Sequence, residues 1–375
     1  MLTPETSILC DKEIKVLKEM REGNTVSGAS GWGEIAKCQI QDVFVQYDYK
    51  GPVFSVKTNQ GHLLKCTPDH PCFARFNPSS HHFHLFLMER STFGFRVGLS
   101  QGLIRDLFAA YQQKTDFSAQ QEVIDRFWIL EATENSSQAI FLTKYIMFKY
   151  GLPDVQFPAR GVNSEFPEEL VRELFNRIDT PSRAKQVLHD SYMFEEFPHV
   201  TMRLSSNKPS RSNAIQFIIF GGTSKIPKRP GFSHLIRIDS SANLDSSDSK
   251  KFQRRMSTHG LWHLEVTRDD LEEAKLFVKT LSHLDDLEVV KKIQLTKKGP
   301  FYILPASHLK IGMSVPVLGN RGIEEDTISS ISHDEFEGPL YDLKVQDLYN
   351  YVAGKWVVMA NTGSSAIATW NRRVI

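Results

Sequence analysis

Lys65-Cys66-Thr67-Pro68-Asp69-His70-Pro71 stands where a run of strand-forming residues breaks into a turn, and its reading decides the fold. One reading is a proline-rich turn that happens to carry a histidine. The other is chemical: a hydroxyl and an imidazole three positions apart can both reach one backbone amide. Thr67 then donates a hydrogen bond to the carbonyl and His70 protonates the departing nitrogen, the oxyanion and acid roles of acyl transfer.

Working outward, residues 43–47, 53–58 and 61–65 are short β-branched and aromatic runs separated by Gly, Asn, Pro and Asp, which predicts a β meander or barrel over residues 1–76. From 77 to about 299 helical patterns appear, at 103–114, 137–150, 167–176, 181–189 and 268–284. Strands are expected there at 91–99, 127–132, 214–220 and 261–266, and 205–213 and 240–251 have linker composition. After 299 the β texture returns, at 301–304, 314–318, 326–333, 340–345, 349–353 and 355–359. Neither terminal segment has enough strands to close a sheet alone. One β domain interrupted by an α/β insertion therefore explains the order better than three successive domains.

Composition agrees with a globular chain. At 375 residues, 41% hydrophobic and 24% charged, it can bury a sizeable core, and its length predicts about two to three compact units. A net charge of +1 supplies no global field, so nucleic acid or an anionic membrane would have to meet a local patch. Cys10, Cys38, Cys66 and Cys72 are too few and too uneven for a disulfide scaffold. Cys10 ends a predicted strand and reads as a buried structural thiol. Apolar runs such as 217–220 are too short to span a bilayer, and Glu5, Asp11 and Glu13 interrupt any signal-peptide core. A cytoplasmic protein without membrane contact is expected.

The second informative segment lies at the far end: Leu340-Tyr341-Asp342-Leu343-Lys344-Val345, Asn350-Tyr351-Val352-Ala353, then Val357-Val358-Met359-Ala360-Asn361-Thr362. A hairpin followed by a polar turn is one reading. The chemical reading is that an Asn side-chain amide attacks its own backbone carbonyl and cuts the chain after itself, with Thr362 a nucleophile and Asp342 an assisting carboxylate.

Taken together and in order, these segments resemble the intein family, whose members have the Hint (hedgehog/intein) fold. The opening Leu2-Thr3-Pro4-Glu5-Thr6-Ser7-Ile8-Leu9 resembles the first intein motif, and Lys15 to Val26 the helix and Gly-Asp-x-Val turn that follow, with Asn24 for Asp. Thr67 to His70 matches the T-x-x-H motif. Pro305-Ala306-Ser307-His308-Leu309-Lys310-Ile311-Gly312-Met313 resembles the re-entry after an insertion, and 341–353 with 357–361 match the two C-terminal motifs. The resemblance covers about 140 residues at the two ends. It implies a mainly β Hint horseshoe made of 1–76 and 300–361, an inserted α/β region at 77–299, and a host-protein stub at 362–375.

It also implies autocatalytic protein splicing, a single-turnover self-processing reaction. The first side chain attacks the preceding carbonyl, aided by Thr67 and His70; the acyl group passes to Thr362; Asn361 cyclises; Asp342 assists. No cofactor or metal is implied for this, the partner is the flanking host protein (the exteins), and no small-molecule substrate is involved. Three positions depart from the pattern. Met1 has no side-chain proton to lose and cannot form the ester, Ala360 replaces the penultimate His, and Tyr349 replaces a second one. The expectation is an impaired intein left with Asn361 cleavage.

Residues 77–299 lack the acidic, glycine-rich LAGLIDADG helices of the commonest homing endonucleases. A fainter likeness, over about 75 residues, is to the GIY-YIG nucleases. It rests on His84-Leu85-Phe86-Leu87, Phe93-Gly94-Phe95-Arg96-Val97-Gly98, Arg105, the strand 127–132 and the helix 137–150. Thr143 or Lys144 falls where that family places its metal-binding glutamate. Without a carboxylate, Mg²⁺ has no anchor, which argues against nuclease activity. Mg²⁺ is implied only if the insertion cuts DNA. His81, His82 and His84 read as a solvated loop rather than a metal site, and the basic runs 225–229 and 250–255 as solvated surface unless the insertion binds DNA. The alternative function is thus a homing endonuclease or DNA-binding protein on a Hint scaffold.

Overall fold

The computed structural model describes residues 1–10, 13–77, 81–101, 124–158, 166–201, 214–222, 233–240, 255–256, 262–282 and 288–361. In chain order, the first strands are β1 (Ser7–Cys10), β2 (Glu13–Val16), β3 (Thr25–Gly31), β4 (Glu34–Thr58), β5 (Leu63–Cys66) and β6 (Pro71–Ala74), with a 3₁₀ turn at Leu17–Glu19. The next elements are β7 (Phe83–Arg90), β8 (Gly94–Gln101), β9 (Arg126–Thr133), α1 (Ser136–Tyr150), α2 (Glu168–Arg177), α3 (Thr180–Asp190) and β10 (Val200–Thr201). Then come β11 (Ala214–Ile219), β12 (His234–Ser240), β13 (Arg255–Met256), β14 (Trp262–Arg268), α4 (Leu271–Ser282) and β15 (Glu288–Thr296). The chain closes with β16 (Gly299–Pro305), β17 (Ser314–Gly319), β18 (Gly322–Val345), β19 (Asn350–Ala353) and β20 (Val357–Ala360). The fold is mainly β.

Two compact units result. Among the described residues, the first comprises 1–75, 214–306 and 314–361, and the second comprises 76–201 and Ser307–Met313. Sequence texture divided the chain at 77 and 299 and assigned everything between to one inserted region. In the structure β11 to β15 instead continue the sheet of the first unit, β11 pairing parallel to β15 and β15 antiparallel to β16. A parallel pair needs a crossover, here through α4, and its register is set by tertiary packing that no local pattern carries.

In the first unit, runs read as separate strands fuse. Residues 43–47 and 53–58 both lie in β4, 326–333 and 340–345 both lie in β18, and the two strands pair antiparallel from Ile328–Thr58 to Val345–Ile40. Gly51-Pro52 and Gly338-Pro339 look like breaks in sequence. The ribbon absorbs Pro339 in a register shift between Gly338 and Leu340, where a missing N–H costs no ladder hydrogen bond.

The second unit has its own sheet, ordered β10-β9-β7-β8. Its core is built by Leu85, Leu87, Phe95, Val97, Trp128 and Leu130 with α1 and α3 against them. The helices begin and end where their signals lie. Asn135 caps α1 by accepting from the Gln138 N–H at 3.0 Å, Gly151 closes it with φ +66°, and Asp179 caps α3 through the Ser182 N–H at 3.2 Å. The expected strand at 91–99 starts later, because residues 91–93 form the β7–β8 turn. The expected helix at 103–114 and linker at 205–213 lie outside the described residues, as does 241–251 of the second linker.

Candidate functional site

β5 ends at Cys66 and β6 begins at Pro71, and the turn between them closes with the His70 N–H donating to Thr67 O at 3.1 Å. The start of the chain runs beside this turn. Leu2, fully buried, bridges both Cys66 and Tyr341, and its N–H and C=O exchange hydrogen bonds with Tyr341 at 2.8 and 2.9 Å. That register brings Met1 to Thr67: the Thr67 N–H donates to Met1 O at 2.9 Å, and the Met1 amino nitrogen donates to Thr67 Oγ1 at 2.6 Å.

From the other side β18 supplies Asp342, also fully buried. Its Oδ1 accepts from the Tyr351 hydroxyl at 2.8 Å and from the Leu343 N–H at 2.7 Å. Asp342 Oδ2 stands 3.8 Å from His70 Nδ1, an ion-pair distance but longer than a hydrogen bond. His70 is fully buried with no hydrogen-bond partner on either ring nitrogen. Burial, and then the positive charge of the chain's amino group, hold its pKa well below the ordinary histidine value. Burial outweighs the nearby carboxylate, so the imidazole is neutral at pH 7. Burial, followed by Asp342, pushes the Tyr351 phenol well up, so it stays a donor.

The third approach is that of β20. Met359 pairs with Cys72, and Asn361 follows just past the end of β20. Asn361 is fully buried; its N–H donates to Tyr349 O at 3.1 Å, its Nδ2 reaches Val345 O only at 3.5 Å, and its Oδ1 has no partner. Met1, Thr67, His70 and Asp342, far apart in sequence, are thus brought together at the Thr67–His70 turn, while the hydrogen bonds of Asn361 run to Tyr349 and Val345. Thr362 lies outside the described residues.

Ala360 is buried and offers no titratable group. Tyr349 adopts φ +57° and its phenol is pushed up to about 12, first by burial and then by Glu272. It therefore supplies a hydroxyl where an imidazole was expected. Cys10 is buried at the end of β1.

Two neighbours were not singled out from sequence. Tyr351 was read only as part of a strand motif, although a lone Tyr among Val and Ala on a buried strand signals a phenol that needs a partner. Asn350 is fully buried and makes three hydrogen bonds: Oδ1 accepts from the Ala29 N–H at 2.7 Å, and Nδ2 donates to Ala29 O at 2.9 Å and Leu348 O at 2.7 Å.

In the second unit a cleft of about 310 Å³ opens between β8 and α1, with Arg96, Thr143, Lys144, Asp154 and Gln156 among its walls. Thr143 and Lys144 both border it. The Thr143 hydroxyl is committed to Ala139 O at 2.8 Å, and Lys144 pairs with Asp154 at 3.0 Å. Phe95 packs on Trp128, their rings 6.1 Å apart. Arg105 and residues 225–229 and 250–254 lie outside the described residues. His84 is buried in strand β7, which corrects the expectation of a solvated loop for that residue: β7 pairs with β8 on one side and β9 on the other, and residues 84–88 are all buried. Among the described residues no group of three or more His, Cys, Asp or Glu is placed to hold a metal ion, and no helix is long and apolar enough to cross a membrane.

No protein-family model matches the chain, and no curated protein matches it.

Proposed function

We propose that the two terminal β segments within the first unit form an intein-like self-processing element of the Hint type, and that its accessible reaction is cleavage after Asn361. The carrying observation is the meeting of Met1, Thr67, His70 and Asp342 around one buried turn, with a neutral imidazole whose nitrogens are both uncommitted and with a buried, loosely held Asn361 at the end of β20, the strand that pairs with β6. An amide N–H at Met1 keeps the one donor that the Thr67 contact requires, leaving the Thr67 hydroxyl proton for the carbonyl before it. Met1 offers no nucleophile there, so the N-terminal acyl shift does not run. At Asn361, Nδ2 attacks the residue's own carbonyl carbon, a succinimide closes, and the bond to Thr362 breaks with its nitrogen taking the proton. The weakly held Asn361 amide, with a 3.5 Å donor contact and an unpartnered oxygen, is free to turn for this attack. Without an imidazole at 360 or 349 the reaction is slow.

Prolonged incubation of the purified chain, followed by intact mass, tests this. Release of the 362–375 peptide, abolished by Asn361→Ala, is the expected result; an unchanged mass overturns the cleavage. Met1→Cys between foreign flanking sequences is expected to restore N-terminal thioester formation, read as hydroxylamine-sensitive cleavage before residue 1.

One observation favours a second reading, DNA binding through the second unit. Arg96 and Lys144 border the same cleft, and a phosphate entering it would compete with Asp154 for Lys144. Duplex binding with a steep salt dependence and no Mg²⁺-dependent nicking would support it; equal weakness at low and high salt would end it.

A further inference from the structure

The Thr67–His70 turn is bracketed by two cysteines that the proposed chemistry does not use. Cys66 is the last residue of β5 and Cys72 the second of β6, so the five residues between them are Thr67-Pro68-Asp69-His70-Pro71. Both thiols are buried and both are free. They bracket one turn closely enough for Cys66, after burial, to help raise the Cys72 thiol's pKa, and Cys72 Sγ donates to His70 O at 3.5 Å. The other two cysteines provide an internal contrast. Cys10 on β1 and Cys38 on β4 are both opposite Val26 of β3, with a whole strand between them. Two strand spacings are about 9–10 Å, beyond the roughly 7 Å that a disulfide bridges.

We propose that Cys66 and Cys72 are a redox pair whose disulfide clamps the Thr67–His70 turn and switches the site off. The inference rests on the self-processing reading for its consequence, but not for the bond itself. The oxidant required is a small-molecule disulfide of the glutathione type. The thiolate of one cysteine attacks a sulfur of that disulfide and releases one small thiol; the other cysteine then attacks the mixed disulfide and releases the second. Two cysteine S–H bonds and one small-molecule S–S bond are lost, and one protein S–S bond and two small thiols are formed. Exchange passes through opening of the turn, because burial keeps both sulfurs from solvent and holds the Cys72 thiol protonated.

The S–S bond is about 2.05 Å, much shorter than any non-bonded approach of two free thiols, so the ends of the turn must draw together. The Cys72 contact to His70 O is lost at the same time. Thr67 and His70 ride on that turn, and a displacement of about 1 Å at a reacting group can lower a rate about a hundredfold.

The full chain is equilibrated with oxidised or with reduced glutathione, quenched in acid, alkylated under denaturing conditions and peptide-mapped. In the oxidised sample Cys66 and Cys72 are expected as one cross-linked pair lacking two hydrogens, with Cys10 and Cys38 alkylated. Hydrogen exchange over 66–72 is expected to slow, and release of the 362–375 peptide to fall at least tenfold. Cys66→Ala and Cys72→Ala, made separately, are expected to release the peptide equally fast in both buffers. Alkylation of Cys66 and Cys72 in the oxidised sample overturns the proposal, and so does a disulfide that leaves exchange over the turn unchanged. If the reduced chain releases no peptide, the self-processing reading fails, while the cross-link map and the exchange rates still decide the pair.

Discussion

At the scale of single residues, burial decides which groups stay neutral and which polar atoms need a partner. His70 and Asp342 were each legible from sequence as candidate groups, in separate motifs, but not as buried neighbours whose imidazole stays neutral beside a carboxylate. Asn350 shows the other side of the same rule. Its amide answers three backbone groups, those of Ala29 twice and of Leu348 once, at full burial. Asn350→Ala leaves an N–H and two carbonyls without that partner, and buried unsatisfied groups cost about 1–3 kcal/mol each. The expected loss is more than about 2 kcal/mol, read as a lower urea midpoint at unchanged slope.

At the scale of elements, α1, α2 and α3 were read within a residue of their ends because caps are local, whereas the stretch 268–284 overran α4 at both ends and began inside β14. Asn135 and Asp179 announce α1 and α3, and Gly151 ends α1. Long strands were read in pieces because a Gly-Pro step looks like an ending unless its pairing partner is known, and β4 with β18 supplies that partner. Close approach of strands imposes a further demand that sequence does not reveal. On β3, Gly28 faces β19 so closely that a Cβ would lie 2.5 Å from Asn350 O, a backbone atom that cannot move aside alone. Gly28→Ala is expected to cost about 1–3 kcal/mol by overpacking and to separate β3 from β19. Faster hydrogen exchange at Ala29 and at 350–353 is the measurement.

At the scale of the whole molecule, the second unit carries a pH dependence of its own. His199 Nδ1 accepts from the Ile129 N–H at 2.9 Å, its Nε2 donates to His308 O at 2.8 Å, and His308 Nε2 accepts from the Phe194 N–H at 2.8 Å. A second ring proton would set N–H against N–H at Ile129. Burial, the leading cause in each, lowers His199 to about 3 and His84 to about 4, and drives His308 well below its ordinary value. Their folded pKa values lie below that of the unfolded chain, about 6.5, so between these limits the unfolded chain binds more protons. Stability is therefore whole above about pH 6.5 and falls as pH drops toward 3–4, by up to about 1.4 kcal/mol per pH unit for each histidine. Urea midpoints at pH 7 and pH 5 are expected to differ in that direction, and His199→Gln to narrow the difference.

The order of the motifs, the β-rich ends, the caps of the helices and the identities of Thr67, His70, Asp342 and Asn361 follow from the sequence by itself, because each depends on neighbours within a few residues. Which strands join which unit, the fusion of short runs into β4 and β18, the meeting of Met1, Thr67, His70 and Asp342 at one turn, and the burial of Cys66 and Cys72 beside it were decided only by tertiary structure. Their cause is register between strands remote in the chain, which carries no local signature and is fixed when the apolar faces of both termini are buried together.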